Sequence, residues 1–188
     1  MNKISTCIAL FVFLAAGNLA SAQNIYIKAT DQNGSPIQGE VTAKNFAGDI
    51  AASSFGQDNS ACSPNGTGGV CKPTLGHFIF NMTIDKSLVT LNKLLFTGLS
   101  MKTIDFIFTK NAGTGGTPVE YYRVHLELAA IVHITNAIDG SGAAPTAQVE
   151  LAAVRSGWTY TPINPTGAPG TPVKFGWDSN ANAQWMNF

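Results

Sequence analysis

Residues 80–100, FNMTIDKSLVTLNKLLFTGLS, contain the one stretch of this sequence whose pattern predicts a helix. Asp85 can accept an orphan backbone N–H at the start of that helix, and Gly98 suits a left-handed C-cap at its end. Between them, apolar side chains recur at three- and four-residue spacing and form a single face: Leu88, Leu91, Leu94 and Leu95. A short helix of this kind must bury its leucines against a sheet.

The sequence on both sides of the helix alternates apolar and polar residues, as half-buried strands do. The segments EVTAKNFAG (40–48) and IAASSFG (50–56) predict one or two strands. The other predicted strands are NIYIKAT (24–30), GHFIFNMTI (76–84), KTIDFIFTK (102–110), VEYYRVHLELAAIVHITNAI (119–138), TAQVELAAVRSGWTYTPI (146–163) and VKFGWD (173–178). The 119–138 segment is long enough to predict a bend or bulge. Strands and helices do not alternate, which argues against a doubly wound sheet. The predicted fold is mainly β, a compact β-barrel of two packed antiparallel sheets with one short amphipathic helix.

The first 22 residues predict a cleavable signal peptide. Lys3 is followed by an apolar stretch and an A-x-A site, so we expect cleavage between Ala22 and Gln23. A retained membrane anchor is the alternative, although the apolar stretch is short for a membrane-spanning helix. Residues 23–188 are enough for a single domain with its own core. We therefore expect an exported protein, located in the periplasm or outside the cell.

Cys62 and Cys71 both lie in the predicted mature chain and bracket a loop of turn-forming residues. In an oxidising compartment such a pair predicts a disulfide. The alternative is a metal site that includes His77, but zinc normally takes four ligands. The surrounding polar loop, Gln57 to Leu75, is long for a compact domain, and loops of that length are often functional.

Little in the sequence points to catalysis or to nucleic acid. The chain has 11 basic and 11 acidic residues with no block of like charge, whereas nucleic-acid binding leaves a basic patch. G-x-S-x-G, P-loop and H-E-x-x-H motifs do not occur, and His125 and His133 are too far apart on one strand to share a metal ion. We therefore predict no enzyme, no cofactor and no metal.

Arg123, His125 and Glu127 alternate on one face of the long strand. They can be a catalytic row, or a row that faces solvent or another subunit. We favour the second interpretation, because the opposite face of this strand is predicted to be buried: Val124, Leu126 and Leu128.

Four phrases of the sequence resemble the hemolysin-coregulated protein (Hcp) family, the tube subunits of type VI secretion. They are IYIKATDQNG (25–34), FNMTIDKSLVTLNKLLFTG (80–98), GGTPVEYYRVHLE (115–127) and PVKFGWD (172–178), in the family's order. The resemblance implies a two-sheet barrel with one helix that assembles into six-fold rings. Such rings stack into a hollow tube whose lumen can hold effector proteins. The implied partners are other copies of the chain, further type VI components and effectors, without nucleic acid or stable membrane insertion.

The resemblance also gives particular residues a role at subunit contacts. Val173, Phe175 and Trp177 are expected to pack one strand face into the core and to bring the strand near a neighbour. The row of Arg123, His125 and Glu127 is a second candidate for contact between subunits. The loop 57–75 falls where the family carries a loop that contacts the adjacent ring. The tail ANAQWMNF (181–188) either docks on a neighbour or is disordered.

Two features depart from the family pattern. Typical members lack a cleavable signal peptide, so this chain is expected to assemble outside the inner membrane, with its disulfide formed. A secreted monomeric barrel that binds a ligand or a protein is the main alternative function. An exported hydrolase and an outer-membrane barrel ending at Phe188 are weaker ones, because titratable groups do not cluster and the predicted strands are uneven.

Overall fold

The computed structural model describes residues 23–61, 73–111, 118–140 and 142–188. The predicted signal peptide and the pair Cys62 and Cys71 lie outside the described residues. The elements are β1 (Gln23–Thr30), β2 (Pro36–Ile37), β3 (Ile50–Gln57), β4 (Phe78–Thr83), α1 (Ser87–Thr97), β5 (Met101–Asn111), β6 (Pro118–Ala137), β7 (Thr146–Tyr160), β8 (Val173–Asp178) and β9 (Ala183–Gln184).

Six of these strands close into a barrel. Their order is β4-β3-β1-β5-β6-β7, all neighbours are antiparallel, and pairing between β7 and β4 completes the circle. The remaining strands extend this one sheet, with β2 beside β1 and β8 and β9 beyond β7. The prediction of a mainly β barrel with one short helix is confirmed.

The inward faces of the barrel strands form an aromatic core. Phe106 is 0% exposed, and its ring centroid lies 4.7 Å from that of Phe55 and 5.5 Å from that of Phe80. Tilted and edge-on rings at these spacings are the favourable arrangement for aromatic pairs. The alternating pattern of the sequence therefore predicted the inside of the barrel correctly.

The helix α1 lies against β6 and closes over the core with Leu88, Leu91 and Leu94 buried and Leu95 half-buried. Gly98 is left-handed, with φ of 67°, as its predicted role requires. The helix begins slightly later than predicted, because Lys86 occupies the N-cap position. The Asp85 carboxylate still accepts the Ser87 backbone N–H at 2.8 Å.

The predicted strand at residues 40–48 is absent and the prediction was wrong. This segment is a turn in which Gly48 accepts from the Gly39 N–H and donates to the Val41 carbonyl, both at 2.8 Å. Asn45 and Gly48 have φ of 78° and 85°, which a strand does not allow. Phe46 instead stacks on Tyr26 from outside the barrel, with ring centroids 4.1 Å apart.

The long strands bend where the barrel ends. β6 changes register between Ile131 and His133, which confirms the predicted irregularity. Leu128 was expected to be buried, but it has a φ of 51° and its side chain is exposed. β7 pairs with β4 through residues 146–151 and with β8 through residues 155–160, so β8 continues the sheet past the closed barrel.

Candidate interaction surface

Strand β8 has two faces, and one of them carries the three residues that the sequence analysis singled out. Val173, Phe175 and Trp177 point to one side, which we call the apolar face. Lys174, Gly176 and Asp178 point to the other side, which we call the tail face.

Much of the apolar face is open to solvent. Val173 is 68% exposed and Phe175 is 49% exposed, while Trp177 is half-buried. The Phe175 ring stacks on Trp158 of β7, with centroids 5.9 Å apart and planes 14° from parallel. The prediction that this face packs into the core was therefore wrong for Val173 and Phe175. The physical reason is that β8 pairs with the half of β7 that has left β4, beyond the barrel interior.

The base of the long polar loop flanks the apolar face. Ser60 and Thr74 form an antiparallel bridge, with N–H to carbonyl distances of 3.1 and 2.8 Å. A cleft of about 320 Å³ lies between this bridge and β8, and its lining is mostly apolar: Asn59, Ser60, Ala61, Pro73, Thr74, Leu75, Trp158, Phe175 and Trp177. The described residues at the base of the loop and the aromatic strand therefore form one continuous surface.

The row of Arg123, His125 and Glu127 lies on the other side of the sheet and forms part of an ion-pair network. Arg123 donates two hydrogen bonds to Glu120, both at 2.8 Å. The Nδ1 atom of His125 is 2.8 Å from Asp105 on β5. Arg123 and His125 thus each have an acidic side chain as a partner within the same chain.

Arg155 of β7 connects this row to β8. Its Nε donates to Asp178 at 2.8 Å and its Nη1 donates to Glu127 at 3.0 Å. The hydrogen bond to Asp178 is the main reason that the pKa of Arg155 lies above its ordinary value. The same bond, followed by the backbone N–H of Ala181, holds the pKa of Asp178 below its ordinary value. Such an arrangement keeps these groups charged and aligns three strands, which suits a structural role.

The C-terminal tail covers part of the same row. After a turn in which Asp178 Oδ1 accepts the N–H groups of Asn180 and Ala181, the chain runs back along β8 as β9. The rings of Trp185 and Phe188 each lie 6.0 Å from that of His125, whose side chain is 16% exposed. The tail therefore docks on its own sheet, and His125 is covered without a neighbouring subunit.

The other two histidines lie apart from this network. His77 contacts Glu150 through Nδ1, and His133 is 2.8 Å from the Thr135 hydroxyl. Among the described residues, no group of three or more histidine, cysteine or acidic side chains is placed to hold a metal ion. The described ranges also contain no helix with the length and hydropathy needed to cross a membrane.

Residues 26–160 match the family model described as type VI secretion system effector, Hcp. The chain belongs to the Hcp family. Comparison with curated protein sequences gave no match.

Solved Hcp structures share the fold. A mutant of Hcp1 from E. coli EAEC 042 is 26% identical with a TM-score of 0.66, covering 81% of this chain and 97% of that one. Hcp1 from Salmonella typhimurium is 20% identical with a TM-score of 0.70, covering 87% and 99%. A structure described as a type six secretion system protein is 20% identical with a TM-score of 0.75, covering 87% and 100%. The chain is thus a tube subunit of a type VI secretion-like system, a structural and secreted component.

Arg155, which ties β8 to the barrel, and Asp105, which contacts His125, were not predicted from the sequence. They gave no signal because their partners are distant in sequence. Gly157 and Gly176 did give one, since a glycine in the middle of a strand often marks a close approach of other atoms. The aromatic residues of the tail were a second signal, although the surface they contact could not be identified.

Proposed function

We propose that this Hcp-family chain forms homohexameric rings and that the apolar face of β8 is part of the contact between subunits. The observation that carries the proposal is the exposure of Val173 and Phe175 on a strand outside the closed barrel. An exposed apolar cluster with a polar surrounding marks an interaction site. A head-to-tail contact between identical chains closes into a ring when its rotation permits.

The free edge of β8 supports the same contact. Its partner on one side is β7, and on the other side β9 pairs with Trp177 and Asp178. Within the part of the chain that the structure describes, Val173 to Phe175 have no strand on that second side. Unpaired N–H and carbonyl groups at such an edge favour addition of another chain. In the barrel, by contrast, the pairing of β4 with β7 joins the first and last strands of the circle.

The long loop is the second proposed contact, toward the adjacent ring of a stacked tube whose lumen carries effectors. The bridge between Ser60 and Thr74 brings the two ends of the loop together, which supports a bond between Cys62 and Cys71. In the chain-entropy model, a disulfide that closes only the segment between Cys62 and Cys71 contributes about 2–3 kcal/mol to the stability of the fold. It also lowers the entropy lost when the long loop is ordered in a contact.

We further propose that residues 1–22 are removed and that the mature chain assembles outside the inner membrane, in the periplasm or beyond the cell, without a cofactor or catalytic activity. Intact-mass spectrometry of the exported protein tests both parts of this proposal. We expect a chain that begins at Gln23, with neither Cys62 nor Cys71 accessible to a thiol reagent before reduction. A retained N-terminus, or two free thiols, contradicts it.

Electron microscopy of residues 23–188 tests the ring. We expect particles with an open centre for the wild-type chain and for Phe96→Glu, which changes a phenylalanine that is 85% exposed on α1. Phe175→Glu places a charge in the proposed contact, so rings should be lost. Rings that persist in Phe175→Glu contradict the role of the apolar face.

The cleft of about 320 Å³ beside Trp158 and Phe175 favours one second candidate, a secreted monomeric binding module. Clefts of this size and composition accept small apolar ligands. In that case the protein stays monomeric, and a ligand raises its melting temperature by mass action. A concentration-dependent ring with no such ligand response excludes this candidate.

A further inference from the structure

Two glycines face each other across neighbouring strands on the tail face of the sheet. Gly157 of β7 and Gly176 of β8 are direct partners in the register, and both are buried. Glycine within a strand weakens it and gives no side chain to pack, so it often marks close approach of another group. A cross-strand pair of glycines leaves a depression in the sheet surface, which we call the notch.

The notch is filled by an aromatic ring. A Cβ atom at Gly157 would lie 2.6 Å from the Cε2 and Cζ atoms of Phe188, and one at Gly176 would lie 2.7 Å from Cε1. Real Cβ atoms do not approach carbon atoms so closely, so Phe188 fits only because neither position has a side chain. The strand glycine Gly56 of β3 differs, because a Cβ there would meet no atom within 4 Å.

The side chains around the notch suit an aromatic ring. The His125 ring lies 8° from parallel with that of Phe188, and the Lys174 Nζ atom lies 5.3 Å from the Phe188 ring centroid. A cation over an aromatic face is attracted by the ring quadrupole. Lys174 also donates to the Phe188 backbone oxygen at 3.2 Å.

Backbone pairing between β9 and β8 positions the Phe188 ring in the notch. The Trp185 N–H donates to the Gly176 carbonyl at 2.9 Å, continuing the pairing of β9 with β8. The guanidinium carbon of Arg155 lies 5.7 Å from the Trp185 ring, which gives a second aromatic anchor three residues before the first. Strand addition with pockets for particular side chains is a recurrent mode of peptide recognition.

We propose that the notch is a binding site for an aromatic side chain on an extended peptide segment, and that residues 183–188 are its ligand, bound in cis. The segment is held by its Trp-x-x-Phe pattern together with pairing to β8. A detached segment with the same pattern binds when the tethered one is removed. This site is on the face of β8 opposite the proposed subunit contact, so its test is separate from that of the ring.

The tether sets the affinity that such a site needs. A segment joined by a short connection has an effective concentration on the order of millimolar. To remain docked, it needs a dissociation constant well below that value. The free peptide should therefore bind an emptied notch with a dissociation constant of roughly 10–100 μM on the same reasoning.

Fluorescence anisotropy with labelled acetyl-AQWMNF tests the site. The protein is residues 23–188 carrying Trp185→Ala and Phe188→Ala, which empties the notch while leaving the rest of the chain in place. We expect saturable binding to this variant and at least tenfold weaker binding to the wild-type chain, whose notch is filled. The peptide acetyl-AQAMNA should not bind. Equal binding of both peptides, or no gain over the wild-type chain, overturns the proposal.

One further substitution in the emptied variant tests whether the peptide binds at the notch itself. Gly157→Ala in the emptied variant fills the site with a methyl group and should abolish peptide binding. Gly56→Ala in the same background adds a methyl group where there is room and should leave binding unchanged. If Gly157→Ala lowers folding yield, the comparison of the two peptides on the emptied variant still decides the outcome. Undiminished binding to a folded Gly157→Ala variant contradicts the assignment.

Discussion

The two faces of β8 differ in what covers them. On the tail face, Phe188 fills the notch at Gly176, and Asp178 is bonded to Arg155. On the apolar face, Val173 and Phe175 remain exposed. The chain's own tail thus packs on one side of this six-residue strand, whereas Val173 and Phe175 on the other side face solvent. The difference indicates which surface is part of the folded subunit and which is available to a second subunit.

The largest expected effect contrasts a phenylalanine of the barrel with one of the apolar face. Phe106→Ala removes a ring that is 0% exposed, and the lost burial and the cavity should lower the free energy of unfolding by about 3–5 kcal/mol. Phe175→Ala should cost less than about 1 kcal/mol in the monomer, because the side chain is already half in solvent. Urea denaturation of both variants measures the two losses. Equal losses would mean that the apolar face belongs to the core.

A smaller loss of stability is expected when the tail is displaced. A Cβ atom at Gly176 would lie 2.0 Å from the Trp185 carbonyl oxygen, so Gly176→Ala must push the tail off its face. We expect a loss of about 1–3 kcal/mol, as for overpacking elsewhere. The matched change Gly56→Ala should stay within about 0.5 kcal/mol. If the Gly176→Ala and Gly56→Ala proteins were equally stable, docking of the tail on β8 would contribute nothing to the free energy of unfolding.

The smallest effect depends on pH and concerns the ion pair beneath the tail. Because the folded-state pKa of Asp178 is lowered, its bond to Arg155 stabilises the fold above the ordinary aspartate pKa of about 4. That contribution is lost as the pH falls through the folded-state pKa. The melting temperature of Arg155→Met should therefore be lower than that of the wild-type chain at neutral pH, and the gap should narrow below about pH 4.

Thermal melts between pH 3 and pH 7 measure that gap. Lys102→Met is the control, since it removes a positive charge from an exposed position on β5 outside this network. Its effect on the melting temperature should be small at both ends of the range. A gap for Arg155→Met that stays constant to pH 3 would show that the side chain acts through packing alone.

The sequence was sufficient where local periodicity decides the structure. The leucine spacing of α1 and the alternation in β1, β5 and β7 depend on neighbours a few residues away, so helix, strands and barrel core were predicted correctly. Residues 40–48 were not, because their alternation is interrupted by Asn45 and Gly48, which take left-handed conformations. Composition does not show in advance which asparagine will do so.

The position of β8 depended on interactions distant in sequence. Its alternation showed correctly that Val173, Phe175 and Trp177 share a side. Whether that side is buried depends on β7 changing partners from β4 to β8, which no local pattern encodes. The notch likewise depends on the register that places Gly157 opposite Gly176 and on a tail that reaches both. These are tertiary contacts between residues distant in sequence, and they define most of the candidate interaction surface.

Multi-angle light scattering of residues 23–188 over a range of dilutions measures whether the apolar face of β8 joins copies of the chain. We predict a mass close to six polypeptides for the wild-type chain and for Phe96→Glu, and a mass close to one polypeptide for Phe175→Glu. A wild-type mass of one polypeptide at every concentration would contradict this prediction, because the apolar face of β8 would then remain uncovered in solution.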